Sequence, residues 1–406
     1  RGRPSAPHLA LADSDGRSYR IIWTGPARSR GTARFRPVGS PVWREASVAS
    51  WPGVDGDAGD HVFAATCAEL DGGVRYEYEI VHTVEGRPEL VEASSFETAP
   101  SGEDEAVRFA FIADTGISGR ADGLSDATGR VVEEVARLGP HVVLGGGDYA
   151  YRSGDRRWRS GQQAVQAWLR EMAPLTRRHP FMPQYGNHEV ELAERYRDWA
   201  VHFPPPEGGA VPGTRSYSFD VGPCHLAAFY APGDQVDPAE VGWLWQDLAE
   251  ARRRERPWLI VFQHQPLLAH GTSHPSSPGV ARALAGALTE HRVDLHLSAH
   301  DQSYERTHPL VWDGTVPRPV RHQGPRYPKG EGTVLAKVSP AGKRSDRGGG
   351  FSSLPSELPE VVACADDQGH HFAIIEADAT SLRLDVYRVR AADDPLELVD
   401  RMRILA

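Results

Sequence analysis

Residues 6–99 carry a hydrophobic period of two. "YRIIWTG" (19–25) and "VRYEYEIV" (74–81) alternate apolar and polar positions, and Gly, Pro and Asp turns separate the runs. No helical period interrupts them. The pattern predicts an all-β domain over 6–99, with Trp23 on an early strand in its core. "ETAPSGEDEA" (97–106) is polar and turn-rich, and reads as a linker.

After the linker the pattern changes. "VRFAFIAD" (107–114), "HVVLGGGD" (141–148), a third apolar segment ending at "PQYGNHE", "WLIVFQH" (258–264) and "VDLHLSAH" (293–300) read as buried strands. Between them, 127–138, 239–254 and 279–291 show helical spacing; Val131, Val132, Val135 and Leu138 share one face of the first. Strands alternating with helices imply βαβ units, with ligand groups at the carboxyl ends of the strands. "FAIIEADATSLRLDVYRV" (372–389) reads as a hairpin covering an edge, and 341–360 as a long loop of the kind that often serves function.

Composition narrows the picture. The net charge of −10 and pI near 6.0 argue against nucleic acid as the main partner. No apolar run reaches membrane-spanning length. Residues 1–20 lack the apolar core of a signal peptide. Cys67, Cys224 and Cys364 are far apart and form neither a disulfide framework nor a zinc spacing; one bridge remains open. The chain has 3 Lys against 42 Arg, and a single asparagine, Asn187. Such a bias suggests a GC-rich genome, in which a lone asparagine survives where no other residue serves. Its setting, "QYGNHE", also suits a turn, since Asn tolerates left-handed backbone.

The neighbours decide between those readings. Every predicted strand end carries a polar group: Asp114 in "ADTG", Asp148 in "GGDYAY" with Tyr151 three residues on, Asn187 and His188, His264 in "VFQH", and His300 in "SAHDQ". Strand ends converge at one rim of a sheet. Two carboxylates, an amide oxygen and two imidazoles would meet there, and the usual partner of such a set is a metal.

The run "ADTG", "GDYAY", "GNHE", "VFQH", "AHDQ" resembles the five motif blocks of the purple acid phosphatases, a branch of the calcineurin-like metallophosphoesterases. "ELDGGVRYEYEI" resembles the loop-to-strand corner of a fibronectin type III sandwich, where a Tyr locks a turn. The resemblance spans nearly the whole chain. It implies an N-terminal sandwich (6–99) followed by a four-layer αββα catalytic domain (107–406). It implies two metal ions: Fe or Mn at a first site, and Zn, Mn or Fe at a second. Asp148 would bridge them, Asp114 and Tyr151 would bind the first, and Asn187, His264 and His300 the second. A hydroxide shared by the metals would attack a phosphate monoester in line, with His188 assisting the leaving group. His274 fits the spacing of a further pocket histidine, and His270 is a second candidate. The same site could serve diesters, and a weakened one could merely bind phosphate. The family is secreted, but without a signal peptide in 1–20 a cytoplasmic location stays open.

One position departs from the family pattern. The last block usually has two histidines one residue apart, and here the second is Gln302. An amide oxygen is a harder and weaker ligand than imidazole, so the first site should be weaker or take a different metal. The substrate expected is small and phosphorylated, and the sequence does not fix an oligomeric state. Arg152, Arg156, Arg157 and Arg159 follow a metal motif and suit phosphate, although a solvated helix start explains them equally. Lys337, Lys343 and Arg344 stand where the family carries glycines and are candidates for a second phosphate or carboxylate of the substrate.

Overall fold

The computed structural model describes residues 7–406 apart from 27–28, 55–59, 85–86, 103–104, 191–195, 321–323, 348–349 and 391–392. The alternating N-terminal pattern folds into two four-stranded antiparallel sheets. One runs in the order His8–Leu11, Tyr19–Pro26, Asp60–Cys67, Ser47–Pro52; the other Arg44–Glu45, Arg30–Pro37, Arg75–Val84, Arg87–Glu97. Trp23 is fully buried between them, stacked on Phe63, and its indole N–H meets His82 Nε2. The Tyr76 hydroxyl accepts the Asp71 N–H at 3.0 Å, closing the corner before its strand.

The second part is built on two seven-stranded sheets. The first runs Phe181–Gln184, Val142–Gly146, Val107–Ile112, His370–Ala377, Ser381–Val389, Glu397–Leu405, Arg326–Pro328. The second runs Tyr217–Val221, Cys224–Ala228, Trp258–Phe262, Leu295–Ser298, Val334–Lys337, Tyr304–Thr307, Val362–Asp366. Strand alternation assigns the layers. Phe109 and Phe111 join Ile260, Phe262 and Leu297 between the sheets, while Ala110 and Ile112 face helices Thr128–Leu138 and Gly161–Thr176. Helices Pro238–Arg253 and Pro278–Glu290 cover the other sheet through Leu244, Leu248, Val280 and Leu284. The result is a four-layer αββα sandwich.

One expectation needs correction, and one helix goes beyond the sequence reading. The hairpin at 372–389 is not an edge cover. His370–Ala377 pairs with Val107–Ile112 in mid-sheet, and seven of its eight residues are buried, as an interior strand requires. Helix Gly161–Thr176 was missed because Pro174 and the polar residues of its outer face mask the spacing of Val165, Trp168, Leu169 and Met172. The three cysteines are all unpaired. No helix among the described residues is long and apolar enough to cross a membrane.

The N-terminal sandwich meets the αββα layers through partly buried polar contacts. The Trp51 and Tyr78 side chains donate to the carbonyls of Val201 and Arg177, and Arg20 to those of Pro204 and Pro205. Nearby, His225 is clamped by Asp220 at 2.7 Å and Asp247 at 2.8 Å. Arg254 pairs with Asp220 on its outer side, Arg256 lies 3.7 Å from the same carboxylate, and Ser218 donates to Asp247. Burial alone would lower the His225 pKa, but the two carboxylates outweigh it and hold it up at about 9. A raised folded-state pKa stabilises fully below the unfolded value and is lost as pH rises through the folded one. Thermal or urea unfolding should therefore show about 3 kcal/mol of stability fading between roughly pH 6.5 and 9, and His225→Gln should flatten that slope. An unchanged slope in the variant would remove the clamp as its source.

Candidate metal centre

Five strand ends supply the site, three from the first sheet and two from the second. Val107–Ile112 leads to Asp114, Val142–Gly146 to Asp148 and Tyr151, and Phe181–Gln184 to Asn187 and His188. Trp258–Phe262 leads to His264, and Leu295–Ser298 to His300 and Gln302. The centre thus lies where the rims of the two sheets meet. All the ligand candidates named from the sequence converge there.

The backbone is bent to aim these side chains. Among the described residues seven non-glycine residues have positive φ, and four are Asp114, Asp148, Tyr151 and His300. Left-handed backbone costs free energy in such residues and persists where surrounding structure enforces it. Glycines let the rims close. Gly147 has φ 93°, and a Cβ there would come within 2.5 Å of Gly186 N and 2.7 Å of His264 Nδ1. A Cβ at Gly186 would overlap the Asp148 carboxylate.

Glu189, which the motif reading passed over, organises two of the loops. Its buried carboxylate accepts the backbone N–H groups of Asp148, Tyr149 and Gly186, each at 2.8 Å. The acid in "GNHE" was visible, but its three donors are dispersed along the chain.

At the first position, Asp114 Oδ1 accepts the Tyr151 hydroxyl at 2.6 Å and lies 3.5 Å from Gln302 Nε2. Asp114 Oδ2 accepts Ser339 Oγ at 2.8 Å and the His300 N–H at 3.1 Å. Asp148 Oδ1 accepts the His188 N–H at 2.9 Å, and Oδ2 is 3.2 Å from His264 Nε2. His264 Nδ1 donates to Gly146 O at 2.8 Å, which turns Nε2 towards the centre, 3.1 Å from His300 Nδ1. Burial pushes the Asp114 carboxyl up, with the Asp148 charge adding to it. Burial opposes ionisation of Asp148 too, but His264 and His188 outweigh it and hold that carboxyl down. Burial would lower His264, and Asp148 raises it to about 9. Burial drives His300 well below the ordinary imidazole range, and burial with the Asp114 and Asp148 charges drives Tyr151 up.

These groups fit cations. Asp148, His264 and His300 each present a donor atom, and those atoms lie within 4.8 Å of one another. Asn187 Oδ1 and Gln302 Oε1 are buried without a hydrogen-bond partner. Buried carbonyl oxygens left unpaired are costly, and a metal would satisfy both.

The remaining candidates divide. The His188 ring lies 4.3 Å from that of Tyr151, and the His274 ring 4.1 Å from that of His300. Burial, then the Arg347 charge, holds His274 down at about 4. His270 is hydrogen-bonded to Glu305 at 2.6 Å, not to the centre. Asp301 also turns away, accepting from Lys337, Ser352 and the His274 N–H. Lys337 is 2% exposed and tied to Asp301, Ser303 and Glu305. Lys343 is held by Asp346 and Arg344 O, with its ammonium 4.8 Å from the Tyr151 ring centre. Both lysines are thus occupied within the protein. Arg152 donates to Arg159 O, and Arg157 grips Asp155 and the carbonyls of Ile117 and Ser118. A cavity of about 490 Å³ lies between the N-terminal sandwich and helix Gly161–Thr176, away from the centre.

Comparison with known proteins gives the same direction. Residues 107–304 match the calcineurin-like phosphoesterase family. Acid phosphatase type 7 of Homo sapiens is 28% identical, over 80% of this chain and 77% of the human protein. Purple acid phosphatase 23 of Arabidopsis thaliana is 29% identical, over 54% of this chain and 52% of its own length. Purple acid phosphatase 15 of the same plant is 32% identical over 34% of this chain and 27% of its own. The chain thus spans most of the human relative and about half or less of the plant ones.

The unpartnered oxygen of Asn187 yields a test. Asn187→Ala should lower bound metal below that of the parent in elemental analysis, with far-UV circular dichroism unchanged. Asn187→Asp should keep the metal and weaken phosphate binding, because it adds negative charge. Parent-like metal content in Asn187→Ala would remove Asn187 from the ligand set.

Proposed function

The chain carries a calcineurin-like phosphoesterase domain with purple acid phosphatases among its relatives, and on that premise we propose that it hydrolyses phosphate monoesters at the Asp114–His300 centre. It is a metal-dependent phosphoric ester hydrolase. The observation that carries the reading is the convergence of the Asp148, His264 and His300 donor atoms, together with the buried amide oxygens of Asn187 and Gln302 that have no hydrogen-bond partner.

Asp148 lies 3.2 Å from His264, and its charge acts on Asp114; on this reading it would serve both ions. Asp114, Tyr151 and Gln302 would hold the first, and Asn187, His264 and His300 the second. When bound, such a pair supplies Lewis-acid activation of water and of the phosphate oxygens. The chain's own residues do the rest. Asn187 contributes an oxygen without adding negative charge, so a phosphate dianion is repelled less than it would be by an aspartate. On this reading the single asparagine persists as a neutral oxygen donor. His188, held by its backbone to Asp148, carries a proton to the leaving oxygen. His274, ring to ring with His300, lines the same side and contacts the phosphate. Glu189 keeps the two loops in register while this happens.

The test takes metal-loaded parent and His188→Ala over an aryl monoester, an alkyl monoester and an aryl diester. The parent should cleave both monoesters and turn over the diester at least about ten-fold more slowly, and a chelator should abolish all three. His188→Ala should lose about 100-fold or more on the alkyl ester and clearly less on nitrophenyl phosphate, whose leaving group needs no proton. A parent that prefers the diester overturns the monoester reading, and equal losses remove His188 as the acid.

Gln302 sets how firmly the first position holds its ion. With a neutral amide in place of an imidazole, that position holds its ion less tightly and loses or exchanges it more readily. As purified the protein should be colourless or faintly coloured despite Tyr151, and activated by added divalent metal. Gln302→His should raise first-site occupancy and, after iron loading, produce a visible tyrosinate-to-iron absorption band. A parent that is deeply coloured at full occupancy would overturn this.

A further inference from the structure

The loop after strand Val334–Lys337 forms a strap against the mouth of the centre. The Ser352 N–H donates to Gln302 O at 2.9 Å, and its hydroxyl meets Asp301 while accepting the Ser273 N–H. The Thr272 N–H donates to Ser353 O at 3.1 Å, and Ser345 Oγ meets Ser273 Oγ at 3.0 Å. The strap is thereby stapled both to the Gln302 turn and to the segment that carries His274.

The strap's cations have different fates. Lys343 is spent on Asp346 and Arg344 O. Arg344 reaches Asp126 at 3.2 Å and Gly123 O at 2.8 Å. Arg347 is exposed. Its Nη1 donates to Ser273 O at 2.6 Å, and its backbone N–H donates to Ser345 Oγ. It has no carboxylate partner among the described residues. That single bond anchors one edge of the guanidinium beside His274 and leaves the rest of its donor fork open. An anchored, unneutralised guanidinium at the rim of a phosphate site recognises a second oxyanion.

We propose that Arg347 selects phosphate esters that carry a second negative group, a carboxylate or another phosphate, near the ester. This rests on the monoesterase reading above. It moves the second-anion role from Lys337 and Lys343, which are buried in internal pairs, to the one strap cation left open to a substrate.

The experiment compares parent, Arg347→Ala and Arg347→Lys, all metal-loaded. The substrates are phenyl phosphate and 3-carboxyphenyl phosphate. Inorganic phosphate and pyrophosphate are titrated calorimetrically as inhibitors. In the parent the carboxylated ester should have a KM about five-fold below that of phenyl phosphate, the size expected of an exposed charge-assisted pair. Arg347→Ala should close that gap by raising only the KM of the carboxylated ester, and should weaken pyrophosphate about five-fold while phosphate moves less than about two-fold. Arg347→Lys should keep part of the preference, because it keeps the charge but loses the fork. A gap seen only with the carboxylate, or only with pyrophosphate, assigns Arg347 to that anion alone. Equal KM values in a parent that cleaves both esters overturn this proposal and leave the monoesterase reading standing. A parallel rise for both esters in Arg347→Ala also overturns it, since that is the signature of a strap support acting through Ser273. A parent that cleaves neither ester overturns both.

Discussion

Two buried carboxylates, Asp114 and Asp148, stand together at the meeting edge of two apolar sheets without a lysine or arginine partner among the described residues. The contrast with Asp301 and Glu305 is instructive. Those acids are also buried, but Lys337 neutralises them inside the same loop cluster. Among the described residues Asp114 and Asp148 are met by imidazoles, hydroxyls, backbone amides and the Gln302 side-chain amide. Neighbouring like charges in low dielectric are costly, and a fold keeps such a pair only if something of opposite charge joins it. Much else about the catalytic domain is arranged around that unmet demand.

The arrangement is mechanical as well as electrostatic. The strand ends turn left-handed at four ligand candidates, glycines at 147 and 186 let the two rims touch, and the Glu189 carboxylate gathers three amides from two loops. His264 reaches across from the second sheet to the carbonyl of Gly146 in the first. Each device on its own is a small cost or a small gain. Together they hold the donor atoms of Asp148, His264 and His300 within 4.8 Å of one another.

The chemistry was legible from sequence because it is written locally. A polar residue at the end of an apolar strand is visible in one dimension, and five such ends imply one rim. The N-terminal β alternation and the helices at 128–138, 238–253 and 278–290 were legible for the same reason. What failed was non-local. His370–Ala377 looked like a hairpin arm, and nothing near it says that it pairs with Val107–Ile112, more than two hundred residues earlier. Lys337 looked like a substrate cation because its partners, Asp301 and Glu305, lie on a different loop and strand. Gln302 is the informative intermediate case. Its departure from the pattern was plain in sequence, but only the structure sets it at 3.5 Å from Asp114 with its carbonyl unpartnered.

The centre draws Asp114, Asp148 and Asn187 from one sheet and His264, His300 and Gln302 from the other. A fragment ending before Trp258 would keep Asp114, Asp148 and Asn187 yet have neither His264 nor His300, and the complementary fragment would have imidazoles with nothing to bridge them. The catalytic unit is therefore indivisible as heritable material. Recombination could add or remove a neighbouring module such as the N-terminal sandwich, but a crossover inside the αββα layers would leave both products without a usable centre.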